Sequence, residues 1–505
     1  MYCPDRENDA EKLLNYLLKF AAVFGILKFT VLCGGEKVAN QHISAEEMQR
    51  QTAFSEKLRA VNDCGREKKA LVVTYGCQQN ENDSERIRGM LSAAGYGFCD
   101  APEDADVIIY NTCAVRENAE LRVFGNLGAL KLIKRKKPDL IIGICGCMMQ
   151  QKHIAEQIKR KYKHVDILFG THTLYTLPEL LWNVVETKQR SIHIIDSDGA
   201  IAEKIPIVRA PGVTAYISIM YGCNNFCSYC IVPYVRGRER SRNPEEILNE
   251  VRDVAAKGYK EIMLLGQNVN SYGKDLTESI DFADLLGLVS QVDGIERIRF
   301  MTSHPKDFSD KLIDVIAENK KVCKQMHLPV QAGSNAVLDT MNRRYTRESY
   351  LEKIKKLRAR VPDVTLTTDI IVGFPTETQA DFEQTLSLIR EVRYDSLYSF
   401  IYSKRVGTPA AEMEFVLDEA QIHQNFDRLL EAQNEISREI NESYVGETYD
   451  VLLEGTSKTD ETTLTGRTEG GKLVHITGDT SLIGTMVRVK IVSAMTWYLK
   501  GELLK

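Results

Sequence analysis

The sequence predicts a mixed α/β protein built in three consecutive parts, and three observations carry that expectation. From Lys69, apolar runs of strand length alternate with amphipathic stretches, the pattern of a parallel sheet with helices on both faces. The alternation resumes after Pro206 with six further strand candidates, which suits an open, partial (β/α)6 barrel. From about Tyr444 the helical pattern stops, and short alternating runs separated by Gly, Thr and Ser suit a small antiparallel β-barrel. The expected divisions are an N-terminal extension over 1–66, a first α/β domain over 67–190, the barrel over 206–442 and the tail over 443–505.

Composition bounds the function. A chain of 505 residues is long enough for two or three domains. Its 43% hydrophobic and 27% charged residues are those of an ordinary globular protein. A net charge of -5 gives no general attraction for nucleic acid, so any such surface must be local. Twelve cysteines are too few for a disulfide-stapled scaffold of this size, and several lie beside glycine at strand ends. That usage points to metal ligation in a reducing cytoplasm.

Within the extension, Leu13–Leu18 and Phe20–Leu27 nearly make a membrane-length run, interrupted by Lys19 and Lys28. Each charge inside a span would cost about 2.5–3.5 kcal/mol, and Asp5, Glu7, Asp9 and Glu11 are wrong for a signal or transit peptide. Residues Lys12–Cys33 therefore read as an appended amphipathic helix of no assigned role, with a membrane segment as the alternative. The remainder up to Arg66 reads as a polar, weakly structured lead-in.

In the first domain the strand runs are 70–75, 106–110, 140–144 and 165–169, with helical patterns over 83–94, 116–134 and 150–162. The first three strands end in Tyr75-Gly76-Cys77, Asn111-Thr112-Cys113 and Cys145-Gly146-Cys147. Parallel strands place their carboxyl ends on one edge of the sheet, so these thiols, 36 and 34 residues apart, can converge there. Helices starting just beyond would aim N–H groups at anionic ligands. Cys145 is a rival to Cys147, which is preferred for its place beyond the glycine. The bland reading is that all are small buried strand-end residues. Cys3, Cys33, Cys64, Cys99 and Cys323 have no such placement and read as unligated.

In the barrel the strand candidates are 215–221, 261–266, 298–302, 325–330, 365–372 and 396–402, with helices near 244–257, 282–292, 307–318, 347–360, 379–392 and 418–441. Pro244 followed by Glu245 and Glu246 makes a good helix start. The first strand leads into Cys223, Cys227 and Cys230. Three thiolates so spaced can surround one metal centre. They suit a 4Fe-4S cluster with one iron left open; a structural zinc would need a fourth ligand, and buried free thiols are the remaining reading. The loops after the later strands carry amides, hydroxyls and glycine, which can hold a zwitterion and a ribose. Gln267, Gln331 and Asp369 are the candidates there by position, with capping or turn roles as the alternative. His304 and His327 read more readily as structural than as acid–base groups.

The tail offers runs at 449–453, 463–465, 472–476 and 486–491. Arg467, Lys472, Arg488 and Lys490 could meet phosphates or simply be surface charge. Arg236, Arg238 and Arg240, alternating just past the cysteine loop, are the best candidates for holding a nucleic-acid backbone, beside other basic runs at Lys134, Arg135 and Lys136 and at Arg343, Arg344 and Arg347.

The loop Cys223-Asn224-Asn225-Phe226-Cys227-Ser228-Tyr229-Cys230 resembles the signature of the radical S-adenosylmethionine (SAM) enzymes. The resemblance implies that the open iron chelates SAM and that Tyr229 lies by its adenine. A flavodoxin-like domain with three cysteines, this barrel and a tail that resembles the TRAM domain, in that order, look like the radical SAM methylthiotransferase family from about Lys69 onward. Tyr75–Asn80, Asn111–Glu117, Gly170-Thr171-His172 and Met220–Gly237 are similar to the branch acting on isopentenylated adenosine in bacterial tRNA, though that branch often has methionine where this chain has Gln79. The resemblance implies two 4Fe-4S clusters: one on Cys223, Cys227 and Cys230 that cleaves SAM to a deoxyadenosyl radical, and an auxiliary one on Cys77, Cys113 and Cys147 that carries the sulfur. It implies a tRNA substrate, an electron donor such as flavodoxin or ferredoxin, a sulfur donor, a cytoplasmic setting and no membrane. Rival expectations are a methylthiotransferase for threonylcarbamoyl-adenosine or for a ribosomal-protein aspartate and, outside the class, an iron–sulfur electron carrier or a zinc-bound RNA-binding protein.

Overall fold

A computed structural model describes residues 42–114, 117–196, 199–458 and 460–504. The expected helix over Lys12–Cys33, with Cys3 and Cys33, lies outside the described residues. The lead-in is not weakly structured throughout: Ala45–Asn62 is an 18-residue helix, started by Ser44 accepting the Glu47 N–H. Its buried side chains are Gln51, Ser55, Leu58 and Asn62. Three of these are polar, which is why no apolar period betrays the helix. Gln51 and Asn62 are satisfied by Glu179 (3.1 Å) and the Ala94 carbonyl (2.9 Å).

The first sheet has six strands: β1 Lys68–Tyr75, β2 Tyr96–Phe98, β3 Val107–Thr112, β4 Ile141–Gly146, β5 Ile167–Phe169 and β6 Ser191–His193. All pairs are parallel, in the order β2-β1-β3-β4-β5-β6. The four expected strands are present; β2 and β6, three residues each, carry too short a pattern to read. The chain reverses direction across the sheet between β1 and β3, and such a switch point opens a crevice at the carboxyl ends of the strands.

The catalytic barrel follows with β7 Thr214–Ser218, the short hairpin β8 Met220–Tyr221 and β9 Arg240–Ser241, then β10 Glu261–Leu265, β11 Arg297–Phe300, β12 Gln325–His327, β13 Thr365–Val372 and β14 Ser396–Ile401. The six main strands form two parallel three-stranded sheets, β11-β10-β7 and β12-β13-β14, joined by a bridge from Ile298 of β11 to Val322 in the segment leading into β12. Ile262, Leu264, Ile298, Leu366 and Ile370 pack outward against Val251, Leu286, Leu357 and Leu386 of the surrounding helices.

The tail is a closed barrel of β15 Thr448–Thr456, β16 Thr463–Thr468, β17 Leu473–Thr477, β18 Met486–Ala494 and β19 Leu499–Leu503, ordered β15-β16-β17-β19-β18. It is not antiparallel throughout, because β17 and β19 run parallel. An odd number of strands cannot close a ring with every neighbour reversed. This barrel is fixed to the amino ends of the catalytic strands. The buried Arg297 donates to the carbonyls of Arg467 and Asp450 (both 2.8 Å), and the buried Arg299 to those of Thr468 and Glu469 (both 2.8 Å). Lys472 pairs with Asp395 at 2.8 Å. Lys472 is thereby withdrawn from any phosphate-binding role, whereas Arg488 and Lys490 are exposed. No helix among the described residues is long and apolar enough to cross a membrane.

Candidate active site

Cys77 lies two residues beyond β1 and is the N-cap of the helix Gln78–Ala93, so its sulfur sits where unpaired backbone N–H groups favour negative charge. Cys113 follows β3, and Cys147 opens a 3-10 turn after β4. Gly146 precedes it at φ 95°, and a Cβ there would stand 2.4 Å from the Thr112 carbonyl; no other residue type would leave Cys147 at this edge. The three thiols meet across the switch point, Cys77 after β1 on one side and Cys113 and Cys147 after β3 and β4 on the other. A hydrogen bond with Cys113, helped by the nearby Arg236 charge, lowers the Cys77 thiol to about 6, and the Cys77 charge acts in turn on Cys147. Burial raises Cys147, opposed by Arg236. Cys145 points the other way, into the apolar core with Ala70 and Ile109.

The second trio lies in the loop after β8. Gly222 has φ 80°, and an added Cβ would stand 2.0 Å from the Arg238 carbonyl. Phe226 takes φ 47°, held by Asn342 donating to its carbonyl at 2.9 Å. The Cys223 N–H bonds the Gly237 carbonyl (3.1 Å) and the Cys230 N–H that of Cys227 (2.9 Å). Burial raises Cys223 to about 11 and Cys230 to about 12, and the other thiols of the loop add to it. Among the described residues no group of three His, Cys, Asp or Glu closes on a single metal ion. The donor sets, three thiols each with a guanidinium N–H given to one sulfur, fit iron–sulfur clusters, whose potentials depend on such bonds.

Those donors are two buried arginines. Arg236 gives its Nε to Cys147 Sγ (3.2 Å) and an Nη to Asp83 (2.7 Å). Arg343 gives one Nη to Cys227 Sγ (3.2 Å) and Tyr229 Oη (3.4 Å), the other to the Pro329 carbonyl (2.8 Å) and its Nε to Tyr345 (2.9 Å). Arg236 is therefore not a backbone-gripping arginine: at 5% exposure it has no face for a phosphate. Arg240 is half-buried and donates to the carbonyls of Gly199 (3.2 Å) and Arg236 (3.0 Å), which likewise turns it inward. Arg238 stays exposed, stacked 4.3 Å from the Phe226 ring centre. Neither structural arginine stands out in sequence, where both belong to basic runs.

The other candidates are distributed around the mouth of the barrel. Gln267 accepts the Gly222 N–H, so its carbonyl steadies the cysteine loop. Gln331 is buried at φ 74° and is hydrogen-bonded through its backbone to Asp369 and Ile371 of β13. Asp369 Oδ1 lies 3.5 Å from His327 Nε2, whose ring also meets Thr367 at 3.0 Å. His304 accepts the Lys306 N–H at 3.2 Å, and burial with the Arg343 charge lowers its pKa far enough to keep it neutral. Tyr229 packs with Ala332, Phe374 and Tyr402. The two trios adjoin: Ile231, next to Cys230, shares one apolar cluster with Val235, Ala114 and Cys147.

An open βα barrel with a three-cysteine loop at its carboxyl end defines a radical SAM enzyme, and residues 217–389 match the family described as the Radical SAM superfamily. Residues 69–170 match the Uncharacterized protein family UPF0004, and 442–504 the TRAM domain. A solved structure of the radical SAM methyltransferase TsrM from Kitasatospora setae shares the fold at a TM-score of 0.51 with 13% identity, over 68% of this chain and 77% of that one. The chain is 55% identical over 469 residues to the tRNA-2-methylthio-N(6)-dimethylallyladenosine synthase of Alkaliphilus oremlandii, covering 93% of this chain and 99% of the relative. It is 52% identical to that of Acetivibrio thermocellus, over 92% and 98%. The chain belongs to the tRNA-2-methylthio-N(6)-dimethylallyladenosine synthase family.

Proposed function

We propose that this protein methylthiolates N6-isopentenyl adenosine beside the anticodon of tRNA at the C2 position of the base. The observation that carries the reading is the pairing of two separate thiol trios, each with its own arginine, across one apolar contact. Bound clusters would supply reductive cleavage of SAM at Cys223, Cys227 and Cys230, and a sulfur-carrying iron at Cys77, Cys113 and Cys147. The chain's own work is placement. The Gly222 turn and Gln267 fix the first loop, Tyr229, Gln331 and Asp369 line the side on which SAM would lie, and the half-open Cys77 edge faces the substrate. An aromatic C–H is too inert for acid–base chemistry, so position relative to a radical source is what the protein must provide. Arg238, with Arg488 and Lys490 on the tail, is placed to meet the RNA backbone. The reaction further requires an electron donor such as flavodoxin or ferredoxin and a sulfur donor, and we place the enzyme in the cytoplasm with its tRNA.

Nucleoside mass spectrometry of tRNA from a deletion strain tests the substrate: the unthiolated isopentenyl adenosine accumulates, and its absence overturns the assignment. In the purified enzyme Cys77→Ala abolishes methylthiolation while SAM cleavage persists, and Cys227→Ala abolishes both. Loss of cleavage in Cys77→Ala would contradict the division between the trios.

A further inference from the structure

Strand β14 is the outer strand of its sheet. Its residues Leu397 and Ile401 pack on the helical core of the barrel, so the alternation of a strand sends Tyr398 and Phe400 to the inner face. Contacts agree: the Tyr398 ring lies 5.7 Å from that of His327, and the β13 residues opposite Tyr398 and Phe400 are Asp369 and Ile371. Tyr402, next in the row, is closed off against Phe374 at 5.6 Å and packs in the cluster that includes Tyr229. The strand and the residue just past its end thus carry a row of three aromatics, buried at Tyr402 beside the cysteine loop and open at Phe400 and Tyr398. Tyr398 and Phe400 are 51% and 52% exposed, although they face the catalytic lumen.

We propose that Tyr398 and Phe400 form the wall that receives the isopentenyl chain of the substrate adenosine, a residue-level assignment that rests on the function proposed above. Two adjacent ring faces suit a neutral, branched hydrocarbon, which covers them and is covered in turn. The neighbouring Asp369 carboxylate disfavours a substituent that is itself anionic, so the same wall rejects a threonylcarbamoyl group or an aspartate side chain through charge as well as shape.

The test uses the full-length, cluster-loaded enzyme and anticodon stem-loop RNAs that carry either isopentenyl adenosine or plain adenosine. In Phe400→Ala and Tyr398→Ala the KM for the isopentenylated RNA rises about tenfold, as expected for losing apolar contact with a few methyl or methylene groups, and the preference over plain adenosine falls by a similar factor. Tyr398→Phe retains the preference, because the ring face and not the hydroxyl makes the contact. Unchanged KM and preference in both alanine variants overturn the proposal. A rise in the KM for SAM in place of that for RNA assigns the row to the cosubstrate and also overturns it. Failure of the parent enzyme to modify isopentenylated RNA would instead remove the function on which the proposal rests.

Discussion

Replacing Arg236 by methionine tests the electrostatic design of the auxiliary site. Arg236 and Asp83 are both almost fully buried and lie 2.7 Å apart, on segments 153 residues apart in sequence. Removing the guanidinium strands the Asp83 carboxylate and deprives Cys147 of its donor. Breaking one side of a buried pair costs about 3–5 kcal/mol, whereas replacing both sides with neutral groups is often close to neutral. At about 3 °C per kcal/mol for a domain of this size, Arg236→Met should melt roughly 9–15 °C below the parent. Adding Asp83→Asn should restore most of the loss. The assay is a thermal melt of the metal-free chain under anaerobic conditions for all four members of the double-mutant cycle. On the cluster-loaded protein, electron paramagnetic resonance should show a change only in the auxiliary signal, while Arg343→Met changes only the other. A single variant within about 1 kcal/mol of the parent, or a double variant no better than the single, refutes the reasoning.

Two further outcomes follow from the geometry. Gly222→Ala must relieve a 2.0 Å approach to the Arg238 carbonyl from a left-handed conformation, so the Cys223 loop shifts and bound iron falls by about half, one cluster of two; full iron content in this variant contradicts the account. Glu377 is buried with one oxygen on the Gly373 N–H at 2.6 Å, and burial raises its carboxyl from 4.5 to about 7. Its contribution is fully present below pH 4.5 and is lost as pH rises toward 7, where only the unfolded chain ionises freely. That amounts to about 3 kcal/mol. Glu377→Gln removes this slope, which denaturation midpoints at pH 5 and 8 measure; an unaltered slope refutes it.

The parts of the fold that could be read from the sequence are those where one local pattern dominates. Val107–Thr112 and Ile141–Gly146 are buried along their whole length, so they appear as apolar runs interrupted only by Asn111 and Thr112, and the thiols at their ends inherit a shared edge from strand direction alone. The helix Ala45–Asn62 hides because its packing side is polar and satisfied by hydrogen bonds from distant segments. Arg236 was harder still. In sequence it alternates with Arg238 and Arg240 like a phosphate-gripping stripe, and only Asp83, brought in by the first domain, turns it inward. The same holds for Arg343, whose partners Pro329, Tyr229 and Cys227 come from two other loops of the barrel. Spacing identifies ligands, but the donors that tune them are assembled by tertiary contact.

The attachment of the C-terminal barrel has a practical consequence. Arg297 and Arg299 belong to the catalytic strands, yet four of their hydrogen bonds end on carbonyls of the appended module. Cutting the chain after Glu442 would strip these four acceptors from the two guanidinium groups at the floor of the enzyme and would take Lys472 from Asp395. A truncated enzyme that loses activity would then be reporting a damaged foundation as much as a missing grip on RNA. Point changes at Arg488 and Lys490, which touch none of these bonds, separate the two.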